Sequence, residues 1–173
     1  LANGKAGNPP IEKDDANYLR FCAALEQVCI NLARAIARDG EGATRLVTCT
    51  VSGARDEETA ETLAKAVVSS SLVKAACFGA DANWGRILCA MGYSGADFEP
   101  ETVSVRFRSG AGEVPVCKNG ASIPFSEELA KSVLSQEEIE IIIDLKDSGK
   151  ASAACWGCDL TYDYVKINGD YRS

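Results

Sequence analysis

The residue periods along this chain predict an α+β fold with mixed or antiparallel sheets packed against helices. Three observations carry this. A stripe of apolar residues at spacings of three and four runs from Tyr18 to Ile36, two-residue alternation marks several later segments, and no run of alternating strands and helices of the Rossmann kind is present. At 173 residues the chain is long enough for one ordinary core, or two small lobes sharing one, without metal or disulfide staples.

Residues 1–13 carry Asn3-Gly4, Gly7-Asn8 and Pro9-Pro10, so the opening reads as a loop continuing from an earlier element. Asp14 or Asp15 then caps a long helix, because a short carboxylate reaches the free N–H groups of the first turn. Tyr18, Cys22, Leu25, Cys29, Leu32 and Ile36 form its stripe, and Gly40 ends it. Arg45 to Val51 reads as a strand, with Val47, Cys49 and Val51 on one face, turned by Ser52-Gly53. Asp56 or Glu57 opens a second helix over Ala60, Leu63, Ala64 and Val67. The triplet Ser69-Ser70-Ser71 competes for its backbone hydrogen bonds and predicts a bend before Leu72. Asp81 or Asn83 caps a third helix, with Trp84, Ile87, Leu88 and Met91 on one face and Gly92 at its end.

Beyond it the period returns to two. Val103, Val105 and Phe107 alternate with Ser104, Arg106 and Arg108, so one face of the sheet should be wet. Val114 to Cys117 is a shorter strand and Asn119-Gly120 a turn. Ser126, followed by Glu127 and Glu128, starts a short helix with Leu129, Val133 and Leu134 inward. Glu138 to Leu145 and Ala151 to Cys158 read as a strand and its return, and Leu160, Tyr164 and Ile167 resume helical spacing before a short polar end.

Composition excludes several function classes. The net charge of -7 and the scatter of Lys and Arg leave no footprint for a phosphate backbone, so nucleic acid is not an expected partner. No apolar run reaches bilayer length and Leu1 to Lys5 carry no export signal, so no membrane association and a soluble, cytoplasmic chain are expected. Of eight cysteines, Cys22, Cys29, Cys49, Cys77, Cys89 and Cys117 stand singly at apolar positions, and are expected in the core as free thiols of a reducing compartment. Histidine is absent, which removes Ser-His-Asp and Cys-His chemistry and the usual general base at neutral pH.

Three constellations stand out. Cys155-Trp156-Gly157-Cys158 is half of a zinc site or a redox pair, but with no histidine and no second such pair the structural reading is favoured, leaving a metal or thiol-redox module as the alternative. Gly79 to Arg86 combines two glycines, capping residues, Trp84 and Arg86; a helix start anchored by an indole is favoured over an arginine gripping a carboxylate. Glu41, between Gly40 and Gly42, projects from backbone that can approach a ligand closely, although on composition alone it reads as a solvated charge.

Asp39 to Arg45 (DGEGATR), Ser71 to Leu88 (SLVKAACFGADANWGRIL) and Asp159 to Ser173 (DLTYDYVKINGDYRS), in this order and with Leu1-Ala2-Asn3-Gly4 ahead of them, resemble the β subunit of ornithine acetyltransferases (glutamate N-acetyltransferases) along the whole chain. The resemblance implies the ornithine acetyltransferase / L-aminopeptidase D-Ala-esterase-like fold. It divides the chain into 1–44, the end of a nucleophile-bearing domain with its long helix, and 45–173, a C-terminal α+β domain.

It also implies a precursor that cuts itself ahead of a threonine. That threonine heads the β chain and carries acetyl from N2-acetyl-L-ornithine to L-glutamate in arginine biosynthesis, some members also using acetyl-CoA as co-substrate. Leu1 is not threonine, so no catalytic residue is expected in this chain and the nucleophile is expected upstream. A chain-terminal threonine can use its own α-amino group as base, which suits a sequence without histidine. No metal or bound cofactor is implied. The expected partner is the α chain of the same precursor, which supplies the oxyanion hole and assembles with the β chain into a heterotetramer. By position, Glu41, Asn168 and Ser173 match the family's substrate-binding residues: a carboxylate for an ammonium group, and an amide and a hydroxyl to donate to an α-carboxylate. A relative specialised for another acyl group, in secondary metabolism, fits the same residues.

Overall fold

The computed structural model describes residues 3–146 and 149–170. After an irregular opening, α1 (Ala16–Arg38) begins at Asp15, whose carboxylate accepts from the Tyr18 N–H at 2.6 Å. It ends with Asp39 as its last cap, one residue before the expected Gly40. Strand β1 (Leu46–Ala54) follows, then α2 (Glu57–Ser69), α3 (Ser71–Phe78) and α4 (Trp84–Gly92). The serine triplet does more than bend the chain. Ser70 leaves helical backbone, closes α2, and caps α3 by accepting from the Val73 N–H, so two helices stand where one bent helix was expected. A single 3₁₀ turn (Pro100–Thr102) leads into β2 (Ser104–Ser109), β3 (Gly112–Lys118) and the two-residue β4 (Ala121–Ser122). The 3₁₀ turn and β4 are too short to leave a period in the sequence. Helix α5 (Glu127–Leu134), β5 (Glu138–Asp144), β6 (Ala151–Cys158) and α6 (Tyr162–Asp170) complete the order.

The strands make one mixed sheet in the order β4-β3-β2-β5-β1-β6. Among the described residues only β1 and β5 run parallel, with Val47, Cys49 and Val51 beside Ile139, Ile141 and Ile143. These six side chains, with Val105 and Phe107 of β2, turn to one face and are buried under α2, α4 and α5. Leu63, Ile87, Met91 and Leu134 fill that layer with no exposure above 1%, each contributing roughly 1.5–3 kcal/mol by leaving water. The opposite face is wet, as the alternation at Val103 to Arg108 predicts. There Arg106 pairs with Asp144 and, at 3.3 Å, with Glu113, and Arg108 pairs with Glu140 at 2.6 Å. Such half-exposed pairs add about 0–1 kcal/mol each, so the sheet is held mainly from its other side.

Helix α1 lies by β6 and β1 and ties its last turns to β5 and the residue before it, Arg34 pairing with Glu138, and Arg38 with Glu137 and Glu138. The residues it turns toward the sheet are Ile30, Ala33, Arg34 and Ala37, all half-buried. The expected stripe points elsewhere. Leu25 and Leu32 are half exposed, Ile36 is 76% exposed, and no residue of α1 is buried. The cysteine expectation changes with it: Cys49, Cys77 and Cys117 are buried, Cys22 is half-buried, and Cys29 and Cys89 are exposed. Cys29 follows the stripe to the surface, and Cys89 sits on the side of α4 away from Ile87 and Met91.

Candidate functional site

The loop from Gly40 to Arg45 joins α1 to β1, and α6 leaves the far end of β6, which pairs with β1. The pairing of Leu46 with Cys158 therefore brings the loop beside the start of the chain's last helix. Asp159, only 3% exposed, holds the two together. Its carboxylate accepts from Thr44 N at 2.8 Å, Thr44 Oγ1 at 2.5 Å and Arg45 N at 3.0 Å, while its own N–H donates to Arg45 O at 3.2 Å. Two residues on, the buried Thr161 hydroxyl donates to Gly42 O at 2.7 Å and accepts from Tyr164 N at 3.2 Å, so one side chain both caps α6 and grips the loop. The Arg45 guanidinium reaches past this cluster to the carbonyls of Cys77 and Phe78 at the end of α3, at 2.5 and 2.6 Å. Burial and the Asp159 charge push the Cys77 thiol up to about 12, so it stays a neutral packing group.

Two of the expected substrate-binding residues meet across this scaffold. Asn168 Nδ2 donates to Glu41 Oε2 at 2.5 Å, and also to Tyr164 O at 2.9 Å. Both side chains remain exposed. Ser173, the third, lies outside the described residues. The glycines around Glu41 approach the protein itself: a Cβ on Gly40 would come within 2.5 Å of Cys158 Sγ, and one on Gly42 within 2.8 Å of Tyr164 N. The expectation that they bring backbone close to a ligand is corrected accordingly; they let the loop lie flat on the root of α6.

The geometry also revises the chemistry expected of Asn168. Both amide hydrogens are engaged, one by a carboxylate and one by a carbonyl, which leaves the Oδ1 acceptor as the group on offer. A carboxylate and an amide carbonyl side by side form an acceptor pair, suited to a substrate ammonium group rather than to an α-carboxylate.

The other constellations are structural in the described residues. Cys155 and Cys158 are three apart on a strand, so their side chains leave opposite faces: Cys155 Sγ lies 3.9 Å from Glu61 O on α2, and Cys158 packs at Gly40. They cannot close on one ion. Asn83 caps α4 by accepting from Arg86 N at 3.1 Å, and the Arg86 guanidinium donates to Leu72 O at 3.0 Å, tying α4 to α3. Asp159 and Thr161 are not among the residues the sequence marks for the site. The available signal was a pair of short polar residues directly after a strand and ahead of a helical period, the pattern of a cap.

Comparison with known proteins places the chain. A model of the ArgJ family matches residues 1–173. The arginine biosynthesis bifunctional protein ArgJ of Caldanaerobacter subterraneus subsp. tengcongensis is 54% identical over 173 residues, covering 100% of this chain and 43% of that protein. The glutamate N-acetyltransferase of Methanopyrus kandleri is 49% identical, again over 100% of this chain and 44% of the relative. The crystal structure of arginine biosynthesis bifunctional protein ArgJ from Bacillus halodurans superposes with a TM-score of 0.89 at 43% identity, covering 97% of this chain and 77% of the other. This chain thus spans less than half the length of the curated relatives it matches. With a match that runs from its first residue to its last and a fold shared with a solved member, the chain belongs to the ArgJ family.

Proposed function

We propose that this chain is the C-terminal part of an acetyltransferase that moves acetyl from N2-acetyl-L-ornithine to L-glutamate in arginine biosynthesis, and that Glu41 and Asn168 hold an ammonium group of the amino-acid substrate. The observation that carries the reading is the 2.5 Å contact between Glu41 and Asn168, residues 127 apart in sequence that the family resemblance assigns to one pocket. In this reading a threonine at the head of the complete β chain attacks the acetyl carbonyl, its own α-amino group taking the hydroxyl proton. Ornithine leaves as the free amine, and the amine of glutamate then takes acetyl from the threonine ester. With Asn168 engaged as an acceptor, donors for the substrate carboxylate come from Ser173 or from outside this chain.

The exposed stripe of α1 supports the assembly that this requires. Leu25, Val28, Leu32 and Ile36 make an apolar row too long to stay in water, and the α chain of the same precursor, with the rest of the nucleophile-bearing domain to which residues 1–44 are assigned, is its proposed cover. A heterotetramer, acetyl-CoA as a second donor and a cytoplasmic location belong to the same proposal. The buried neutral thiols of Cys49 and Cys77 fit a reducing compartment.

In the complete two-part protein, Glu41→Ala is expected to leave self-cleavage intact and to lower kcat/KM with N-acetylornithine and glutamate by roughly ten- to a hundredfold, the worth of a charge-assisted hydrogen bond of about 1.5–3 kcal/mol. Full activity in that variant removes Glu41 from the site. Transfer of a different acyl group in preference to acetyl, at equal concentrations, instead favours the reading as a relative specialised for secondary metabolism.

A further inference from the structure

We infer that Asp159 is a positioning residue for the amino-acid pocket, setting the Glu41 loop and the Asn168 helix with one carboxylate; the inference rests on the pocket reading given above. Asp159 is nearly sealed from water, and among the described residues it has no ion-pair partner; its three side-chain hydrogen bonds all come from Thr44 and Arg45. The guanidinium of Arg45, whose backbone N–H Asp159 accepts from, is committed to the Cys77 and Phe78 carbonyls instead. A buried carboxylate so placed is a poor device for stability alone, because desolvation offsets most of what it gains. What it does well is fix direction. Two oxygens on one rigid plane receive two successive backbone N–H groups and a hydroxyl, which sets the exit of the loop three residues after Glu41.

The same residue fixes the other half of the pocket. Its backbone N–H is bonded to Arg45 O, and Thr161, two positions later, caps α6 while holding Gly42 O. Glu41 and Asn168 are thus carried on two segments that diverge from a single clamp. Loss of the clamp frees both at once, and a displacement of about 1 Å in a substrate-orienting group costs up to about a hundredfold in rate.

The test uses the complete two-part protein and steady-state kinetics with N-acetylornithine and glutamate, comparing Asp159→Ala, Asp159→Asn, Glu41→Ala and the Glu41→Ala/Asp159→Ala double variant. Asp159→Ala should lower kcat/KM about tenfold or more, and Asp159→Asn, which keeps a carbonyl for the two backbone N–H groups, should return it to within about threefold of wild type. In the Glu41→Ala background the further loss from Asp159→Ala should shrink to the part carried through Asn168, well short of its size in wild type, because the part acting through Glu41 has nothing left to act on. Losses that multiply in full, or an assembled Asp159→Ala with wild-type kcat/KM, overturn the inference while leaving the pocket reading intact. A fully active Glu41→Ala overturns both. Where Asp159→Ala does not assemble, Thr44→Val removes only the hydroxyl bond; a loss of about threefold that vanishes in the Glu41→Ala background supports positioning, and an equal loss in both backgrounds sinks it.

Discussion

Replacing Gly42 by alanine isolates the contact between the Glu41 loop and α6. Gly42 has φ +68, a region that costs an L-residue about 1–2 kcal/mol, and its new Cβ would sit 2.8 Å from Tyr164 N and 3.1 Å from Asp163 C and Cβ. Two of those neighbours are backbone atoms of the first turn of α6, so the helix or the loop has to move. Gly95 provides the control, with φ +85 and nothing within 4 Å of its added Cβ. Alanine there meets only the backbone strain, partly offset by about 0.4–1 kcal/mol from a less flexible unfolded chain, so a net loss of about 1 kcal/mol is expected. Gly42→Ala adds an overpacking cost of about 1–3 kcal/mol, giving roughly 2–4 kcal/mol in all. Urea denaturation of both variants in the complete protein measures the difference, and kcat/KM should fall in Gly42→Ala alone. Equal destabilisation of the two variants, with activity unchanged in both, would refute the close packing of loop and helix as the element that forms the site.

Two further perturbations address other parts of the account. Thiol labelling near pH 8 should modify Cys89 in every form of the protein and leave Cys49 and Cys77 unmodified, since burial raises both thiols, Cys77 to about 12; Cys29, on the exposed stripe of α1, should label in the separated chain and be protected in the assembled protein. Labelling of Cys29 at equal rates in both forms would place the partner elsewhere. Asp56, the cap of α2, is held below the usual carboxylate range by the Thr59 hydroxyl and backbone N–H, with a smaller contribution from Arg55. Its charge therefore stabilises the fold above the unfolded value near 3.9, and this is lost as pH falls through the lower folded value. The melting-temperature advantage of wild type over Asp56→Asn should persist near pH 6 and disappear on acidification; an advantage that grows toward low pH contradicts the sign.

Much of the fold can be read from sequence because its elements are locally consistent. Asp15, Asn83 and Ser126 each stand one residue before a helix and cap it, and the alternation in β1, β2 and β5 matches the face each buries. The failure at α1 has a physical cause. Hydrophobic periodicity reports that a face is to be covered, not by what, and the row through Leu25, Leu32 and Ile36 is left exposed by the described residues. The same holds for Cys29.

At the candidate site, Glu41 and Asn168 are legible as a pair only through the family resemblance, since an exposed glutamate and an exposed asparagine carry no period and no charge pattern of their own. Their meeting depends on Leu46 pairing with Cys158, a contact 112 positions apart that no local signal encodes. Asp159 carries in sequence only the pattern of a cap, a short polar residue after a strand; its hold on Thr44 and Arg45 exists only once the fold places it over them.

The central claim is tested most directly by a crystal structure of the complete two-part protein with ornithine bound. An ammonium nitrogen of the ligand is expected within hydrogen-bonding distance, about 2.7–3.2 Å, of a Glu41 carboxylate oxygen, with Asn168 Oδ1 as a second acceptor. Ornithine bound in the acetyl-transfer site with neither Glu41 nor Asn168 in contact with it would contradict the account.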